Sequence, residues 1–488
     1  MDKAKRCIQF LDASPEPFHV IKTVKARLAA AGFTRLSEGD HWREKGQLQA
    51  GGKYYFTRNG SSIVAFTVGG MYKPGNGFKV LGAHTDSPNL RLKPKSKKSS
   101  SGVIQLNVEC YGGGLWHTWF DRDLSIAGRV ILRDPVDSSK FTHRLVKIDR
   151  SILRIPNLCI HLKSAKEREA FAINSEDHLM PILSSEVRKS LTRSSAEEAA
   201  PAAKKTKYEL DASVVQDAWQ SGQQPELLEL VAKELDVTVA EIADFELSLY
   251  DIQGASTSGA KEEFLASGRL DNLASCFVAL EALESHAANH VAQDEDVSIV
   301  AMFDHEEVGS ASYSGAGSTL ISDAIERVSF ALAGDASQNI ELHKAARQRS
   351  FIFSVDMAHA VHPNYSSKHE RLHSPTMNAG MVIKTNDNQR YTTNGVSGFF
   401  VRELARRANV PVQEFMVRND CPCGSTIGPM LSTNTGIRAV DLGMPQLSMH
   451  SIREMMGTDD LTHAGNLFEA YFRDFRAVEA ALRVDDAN

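Results

Sequence analysis

Cysteine is scarce in this chain: six in 488 residues, at irregular spacing. That is no disulfide framework. Cys421-Pro-Cys423 has a one-residue spacing poorly suited to a paired zinc knuckle, so both thiols are expected to be reduced and to sit in a turn. Excess positive charge is also missing. With 55 Lys and Arg against 61 Asp and Glu, the net charge is −6 at pH 7, and no global basic field exists to attract nucleic acid. A local basic stretch from Arg91 to Lys98, RLKPKSKK, lacks interleaved aromatics and reads as a solvated loop. Long apolar runs are absent too. None approaches a membrane span, and the N-terminal MDKAKRCIQFLDASPEPFHV lacks the apolar centre of a secretory signal. The chain is expected to be cytoplasmic, with no nucleic-acid or membrane partner.

Apolar residues make up 42% of the chain, enough for a large core divided between two domains. In the C-terminal half, short apolar runs alternate with helical patterns. VSIVAMF (297–303), FIFSV (351–355) and PQLSM (445–449) have buried-strand length. From Asp271 to His286, Leu273, Phe277, Leu280 and Leu283 recur at helical spacing, with Asp271 placed to cap the start. A second helix is expected from Phe399 to Asn409, ended by Pro411 and followed by a strand in VPVQEF. This alternation predicts an α/β fold, a mixed sheet flanked by helices. Residues 101–162 differ: GVIQLNVEC, AGRVILRD, HRLVKID and LCIHL are short β-type runs without helices between them. The expected organisation is one α/β domain in two parts, 1–98 and 258–488, interrupted by a β-rich insertion at 99–257. A mobile polar loop is expected within the insertion, at about 184–211.

Chemistry concentrates where the apolar runs stop. His84 in GAHTDSP, Asp271 in GRLDN, Glu307 in DHEEVGS, Asp356 in SVDMAHAVHPNY and His450 in MHSIRE are imidazoles and carboxylates, the donor types suited to zinc or a related divalent ion. Ligands of α/β sheets bind outside the carboxyl ends of the strands, where four of these five are expected. Asp86, two residues after His84, faces the same side in an extended chain and can orient the imidazole. Glu306 beside Glu307 adds a carboxylate that can face bound water rather than metal. Each has an ordinary alternative: a structural His-Asp pair, a helix cap, an exposed acidic turn, a satisfied core histidine. No single residue decides between them.

Taken together, GAHTDSP, GRLDNLAS, DHEEVGS, SVDMAHAVHPNY, VIKTNDNQRYTT, RNDCPCGSTIGP and MHSIREMMG stand in an order that resembles the aspartyl aminopeptidase family of cocatalytic zinc peptidases. The likeness covers nearly the whole chain, including the β-rich insertion; the polar segment from about Ser194 to Lys207 departs from it. The resemblance implies a zinc-peptidase-like catalytic domain and a dimerisation or lid role for the insertion. It implies two divalent ions per subunit, both zinc, with His84 and His450 as terminal ligands on different ions. Asp271 would bridge the ions, Glu307 and Asp356 would complete the two sets, and Asp86 would support His84. Glu306 would be the general base for a metal-activated water. Lys384 and Tyr391 match positions that face the substrate. His161 resembles a histidine presented to the active site of a neighbouring subunit in a tetrahedral dodecamer built from dimers. The implied substrates are peptides with N-terminal Asp or Glu, an acidic group that Lys384 can pair. Two other readings remain open on the same residues: a related dinuclear carboxypeptidase or deacylase, and a non-catalytic oligomeric scaffold.

Overall fold

The apolar runs of the C-terminal half become strands with every residue buried. Val297–Phe303 and Phe351–Val355 are two of these, and Phe78–His84 from the N-terminal part is a third. The computed structural model describes residues 2–44, 46–137, 139–186, 207–208, 217–334, 339–482 and 484. The chain divides into two compact units, Met1–Ser87 with Ala255–Asn488, and Pro88–Gly254.

The first unit is built on a mixed nine-stranded sheet. Its strands follow the spatial order Thr34–Arg35, Lys53–Arg58, Ser62–Val68, Val297–Phe303, Phe78–His84, Phe351–Val355, Arg438–Gly443, Met381–Lys384, Val412–Phe415. The four strands at 297–303, 78–84, 351–355 and 438–443 run parallel to one another. Their register places Phe303 opposite His84 and Val355 opposite Leu442, so their carboxyl ends share one edge. Parallel strands need both faces covered. Side chains accordingly alternate between two cores: Leu81, Ala83, Phe353 and Val355 face one, while Phe78, Val80, Ile352 and Phe303 face the other. Helices Lys3–Asp12, Pro17–Ala30, Leu270–Asn289, Gly395–Ala408 and Thr458–Glu479 contribute to the first core. Leu320–Leu332 and Ile427–Thr435 contribute to the second.

A smaller five-stranded sheet in the same unit joins Ser256–Ser258, Phe264–Ser267, Glu454–Gly457, Pro445–Leu447 and Ala358–His359, in that order. This corrects one expectation. Pro445–Leu447 does not enter the main sheet; that role belongs to Arg438–Gly443. At Gly443 the chain passes so near Asp356 that a Cβ would meet its backbone oxygen at 1.7 Å, so the crossing requires glycine.

Two helix starts also differ from expectation. Gly395–Ala408 begins before Phe399 because the Asn394 side chain accepts from the N–H groups of Val396 and Ser397, and Ser397 closes the capping box. In Leu270–Asn289 the cap position is Arg269, Asp271 has non-helical angles (φ −81, ψ 104), and no side-chain capping bond forms at this start, so Asp271 does not act as a cap. Its carboxylate is directed elsewhere.

The second unit is a six-stranded antiparallel sheet, in the order Phe141–Lys147, Leu124–Arg133, Ile242–Asp251, Asn89–Ser100, Val103–Tyr111, Ile182–Ser185. Arg91–Lys98 lies inside the Asn89–Ser100 strand rather than in a loop. An antiparallel sheet with one wet face tolerates such a basic run: Leu90, Leu92 and Ser96 are buried between the charged residues, and the Arg91 guanidinium lies 3.4 Å from the Tyr111 ring centroid. LCIHL forms a 3-10 turn, Ile160–Leu162, instead of a strand. Of the expected polar loop, residues 187–206 and 209–211 lie outside the described residues, while Ser184 and Ser185 end a strand. All six cysteines are free, and Cys421 and Cys423 lie in an irregular segment after a turn at Asp420. No helix among the described residues is long and apolar enough to cross a membrane.

Candidate metal centre

Parallel register delivers three of the five candidate ligands to one edge. His84 is the last residue of its strand, Asp356 follows Val355, and Glu307 lies in the turn Glu306–Val308 just beyond Phe303. Asp271 reaches the same place from the irregular first turn of its helix, and His450 from the loop between Pro445–Leu447 and Glu454–Gly457. His84 Nε2 stands 3.2 Å from Asp271 Oδ1 and 3.5 Å from Asp356 Oδ1. His450 Nε2 stands 3.6 Å from Asp271 Oδ2 and 3.3 Å from Glu307 Oε2. Two triads result, His84–Asp271–Asp356 and Asp271–Glu307–His450, each with donor atoms within 4.8 Å of one another and with Asp271 common to both. A third group, His84–Glu306–Glu307, meets the same limit, and Glu306 Oε2 is 3.9 Å from His84 Nε2.

Asp86 holds this arrangement from behind. Its Oδ1 accepts the Glu306 N–H and its Oδ2 the Glu307 N–H, each at 3.1 Å. The His84 Nδ1–H donates to the Asp86 backbone oxygen at 3.0 Å, which leaves Nε2 as the free nitrogen on the cluster side. Asp86 is wholly buried, so the turn carrying both glutamates is tied to an immobile carboxylate.

The electrostatics call for cations. Asp271, Asp356 and Asp86 are buried, and Glu306 and Glu307 are partly so, beside two imidazoles and one ammonium. Asp271 Oδ1, Glu307 Oε1 and Asp356 Oδ1 are buried without a hydrogen-bond donor. An uncompensated buried carboxylate costs on the order of several kcal/mol, so the donor set fits divalent ions of the zinc class. The protonation states bear this out. Burial pushes the Glu306 carboxyl up to about 8, against the pull of His84, with Asp356, Asp86 and Asp271 adding to the rise. Burial and Asp271 drive Glu307 well above the usual carboxylate range. Asp271 is held below that range because His450 and His84 outweigh its burial. His84 lies well above the usual imidazole range: burial opposes this, but Asp271, Asp356 and Asp86 prevail. Cations bound here would displace protons from the glutamates.

Lys384 ends the Met381–Lys384 strand and is only 3% exposed. Its Nζ is 3.5 Å from Asp356 Oδ2 and 5.5 Å from the Tyr391 ring centroid. Tyr391 is buried and precedes Thr392, whose N–H donates to Asp441 Oδ2 at 2.6 Å. The Thr426 hydroxyl donates to the other Asp441 oxygen, so one buried carboxylate ties the 391–393 and 424–427 segments together. His161 is exposed on its turn in the second unit and is not among the grouped donors.

Sequence reasoning missed Glu454, which is 2% exposed and accepts the backbone N–H groups of Asp271 and His450. Its place four residues after His450 in MHSIRE was the available signal.

The chain matches the family model described as aminopeptidase I zinc metalloprotease (M18) over residues 10–472. It is 44% identical over 483 residues to the aspartyl aminopeptidase of Dictyostelium discoideum, covering 98% of each chain. Among solved structures it resembles the cryo-EM structure of the Ape4 and Nbr1 complex with a TM-score of 0.89 and 42% identity, over 99% of this chain and 88% of that one. It resembles the S. cerevisiae mApe1 dodecamer with a TM-score of 0.82 and 28% identity, over 98% of each chain. With a family match running through both compact units, the chain belongs to the M18 family of zinc aminopeptidases.

Proposed function

We propose that the chain removes N-terminal Asp and Glu residues from peptides, using two zinc ions and Glu306 as general base. The observation that carries this reading is the sharing of Asp271: its two oxygens face two different imidazoles, the arrangement a bridging carboxylate needs. His84 and Asp356 would complete one set of ligands, Glu307 and His450 the other. Zinc bound there would supply Lewis acidity and lower the pKa of a bound water from 15.7 to about 7.

The remaining steps fall to side chains of this chain. Asp86 keeps the 306–307 turn and the His84 ring in place. Glu306, whose burial favours a held proton, takes a proton from the water at Oε2 and returns it to the leaving amine. Lys384, buried beside Asp356 and Tyr391, offers a fixed cation to the acidic side chain of the substrate. A desolvated ammonium attracts a carboxylate far more strongly than a solvated one. The aspartyl aminopeptidase name of a 44% identical relative supports the same preference.

The inserted domain is assigned a dimerisation role within a tetrahedral dodecamer, with His161 completing the active site of a neighbouring subunit. Leu158, Ile160 and Leu162 around it are 48%, 61% and 71% exposed, an apolar run that calls for cover. Likeness to the mApe1 dodecamer supports this assembly.

Chelation followed by zinc back-titration tests the reading. Turnover should return as two ions bind per subunit, on free peptides beginning with Asp or Glu. Equal cleavage of N-terminally blocked peptides would move the assignment to the carboxypeptidase or deacylase class.

A further inference from the structure

The ligands are not all held by the same means. His84, Glu307 and Asp356 follow adjacent strands whose hydrogen-bonded register sets their spacing. Asp271 and His450 have no such support. Asp271 sits in a non-helical first turn, and His450 adopts a left-handed backbone (φ 66), as does Ser448 (φ 58). What joins these two segments is Glu454. It opens the Glu454–Gly457 strand, opposite Ser267, and is 2% exposed. Its Oε2 accepts the Asp271 N–H at 3.0 Å, and its Oε1 accepts the His450 N–H at 2.7 Å.

We propose that Glu454 is a positioning residue that sets the distance between Asp271 and His450, and thereby the affinity of the Asp271–Glu307–His450 half of the centre for its ion. This rests on the two-ion reading above. The geometry explains why a carboxylate stands here. Both partners are backbone N–H donors, so both side-chain oxygens must accept. Glutamine offers one oxygen and turns an NH2 against the other N–H. Aspartate keeps both oxygens but is one methylene short of spanning the two segments. Asp86 performs the matching task for the 306–307 turn, so two buried carboxylates accept four backbone N–H groups around the cluster. The His84–Asp271–Asp356 half keeps two members on adjacent parallel strands and depends on Glu454 only through Asp271.

The test compares parent, Glu454→Gln and Glu454→Asp by three measurements: zinc retained against a graded chelator, thermal unfolding with and without zinc, and steady-state kinetics. Supporting-shell changes typically weaken metal binding about 10–100-fold. Both variants should therefore release one of two ions at about tenfold lower chelator strength. Their zinc-loaded unfolding temperature should fall further below the parent's than their metal-free one does, so that the rise on adding zinc shrinks. Lost turnover should appear in kcat rather than KM and be restored by excess zinc. If both ions are held as tightly as in the parent, the proposal is overturned. It is equally overturned if the metal-free variants are destabilised as much as the zinc-loaded ones, since that marks a structural role only. Should Glu454→Gln not fold, the aspartate variant decides by the same measurements. A parent that takes up only one ion defeats the two-ion reading, and the proposal with it, before any variant is compared.

Discussion

Lys384 Nζ lies 3.5 Å from Asp356 Oδ2, which pairs the one lysine of the cluster with a candidate metal ligand. The ammonium is therefore oriented before substrate arrives, and at 3% exposure it is not a solvated surface charge. Exchange of its partner from Asp356 to a substrate carboxylate is the step by which an acidic first residue would be selected. Lys384→Ala should lower kcat/KM on peptides beginning with Asp or Glu by about 30-fold, the equivalent of about 2 kcal/mol for a charge-assisted hydrogen bond. On neutral first residues the loss should stay within about threefold. Comparable losses on both would remove Lys384 from the specificity pocket and leave it as a partner of Asp356.

Glu306→Gln preserves shape but cannot take a proton. Its backbone N–H still donates to Asp86, so the turn should persist. The variant should hold as much zinc as the parent while kcat falls by about 10²- to 10⁴-fold. Metal analysis beside steady-state kinetics checks both halves. Retained turnover would place the base elsewhere.

Asp460 gives a pH signature independent of the metal centre. Its carboxyl accepts the N–H groups of Asn378 at 2.6 Å and Gly380 at 2.9 Å. Burial pushes it up to about 7 from an ordinary 3.8, with Asp459 adding to the rise and the two N–H groups opposing it. Between those values the folded chain holds a proton that the unfolded chain has released. The contribution to stability is thus complete below the unfolded value and is lost as pH rises through the folded one. Asp460→Asn removes this titration. The deficit in Tm of the variant relative to the parent should therefore shrink between about pH 5 and about pH 8. Melts at both pH values measure it; a deficit that grows with pH would show that the ionised form is the one the fold favours.

Tyr471 links the core to the central strand that ends in His84. Its ring stacks on Phe353 at 3.9 Å, and its hydroxyl donates to the Phe351 oxygen at 2.6 Å while accepting the Val80 N–H at 3.0 Å. Tyr471→Phe keeps the stack and leaves the Val80 N–H buried without this acceptor. Stability should fall by about 1–3 kcal/mol, read as a lower denaturant midpoint at unchanged slope, with KM unaltered. A change below about 0.5 kcal/mol would show that another acceptor reaches Val80.

Residues whose placement follows from short-range periodicity were the ones legible in advance. The seven-residue run before Asp304 and the five-residue run before Asp356 became parallel strands, and the parallel register alone brings Glu307, His84 and Asp356 to one edge. Asp271 was recognisable as a donor, but its local pattern pointed to a helix cap. Its carboxylate instead meets two imidazoles from distant segments. The charge of Arg91–Lys98 predicts a loop, whereas the buried Leu90 and Leu92 fix the segment as a strand. The apolar neighbours of His161 predict a strand, yet Leu158, Ile160 and Leu162 are exposed and Ile160–Leu162 forms a turn.

Donor chemistry, the alternation of strands and helices, the β-rich insertion and the family likeness were determined by the sequence by itself, because each depends on residue type and on spacing of a few positions. Tertiary structure alone decided that Asp271 is shared between two triads, that Lys384 is buried against Asp356, and that Glu454 joins Asp271 to His450. Those relationships link residues far apart along the chain. They arise from strand order and close backbone approach, and no local periodicity encodes such distances.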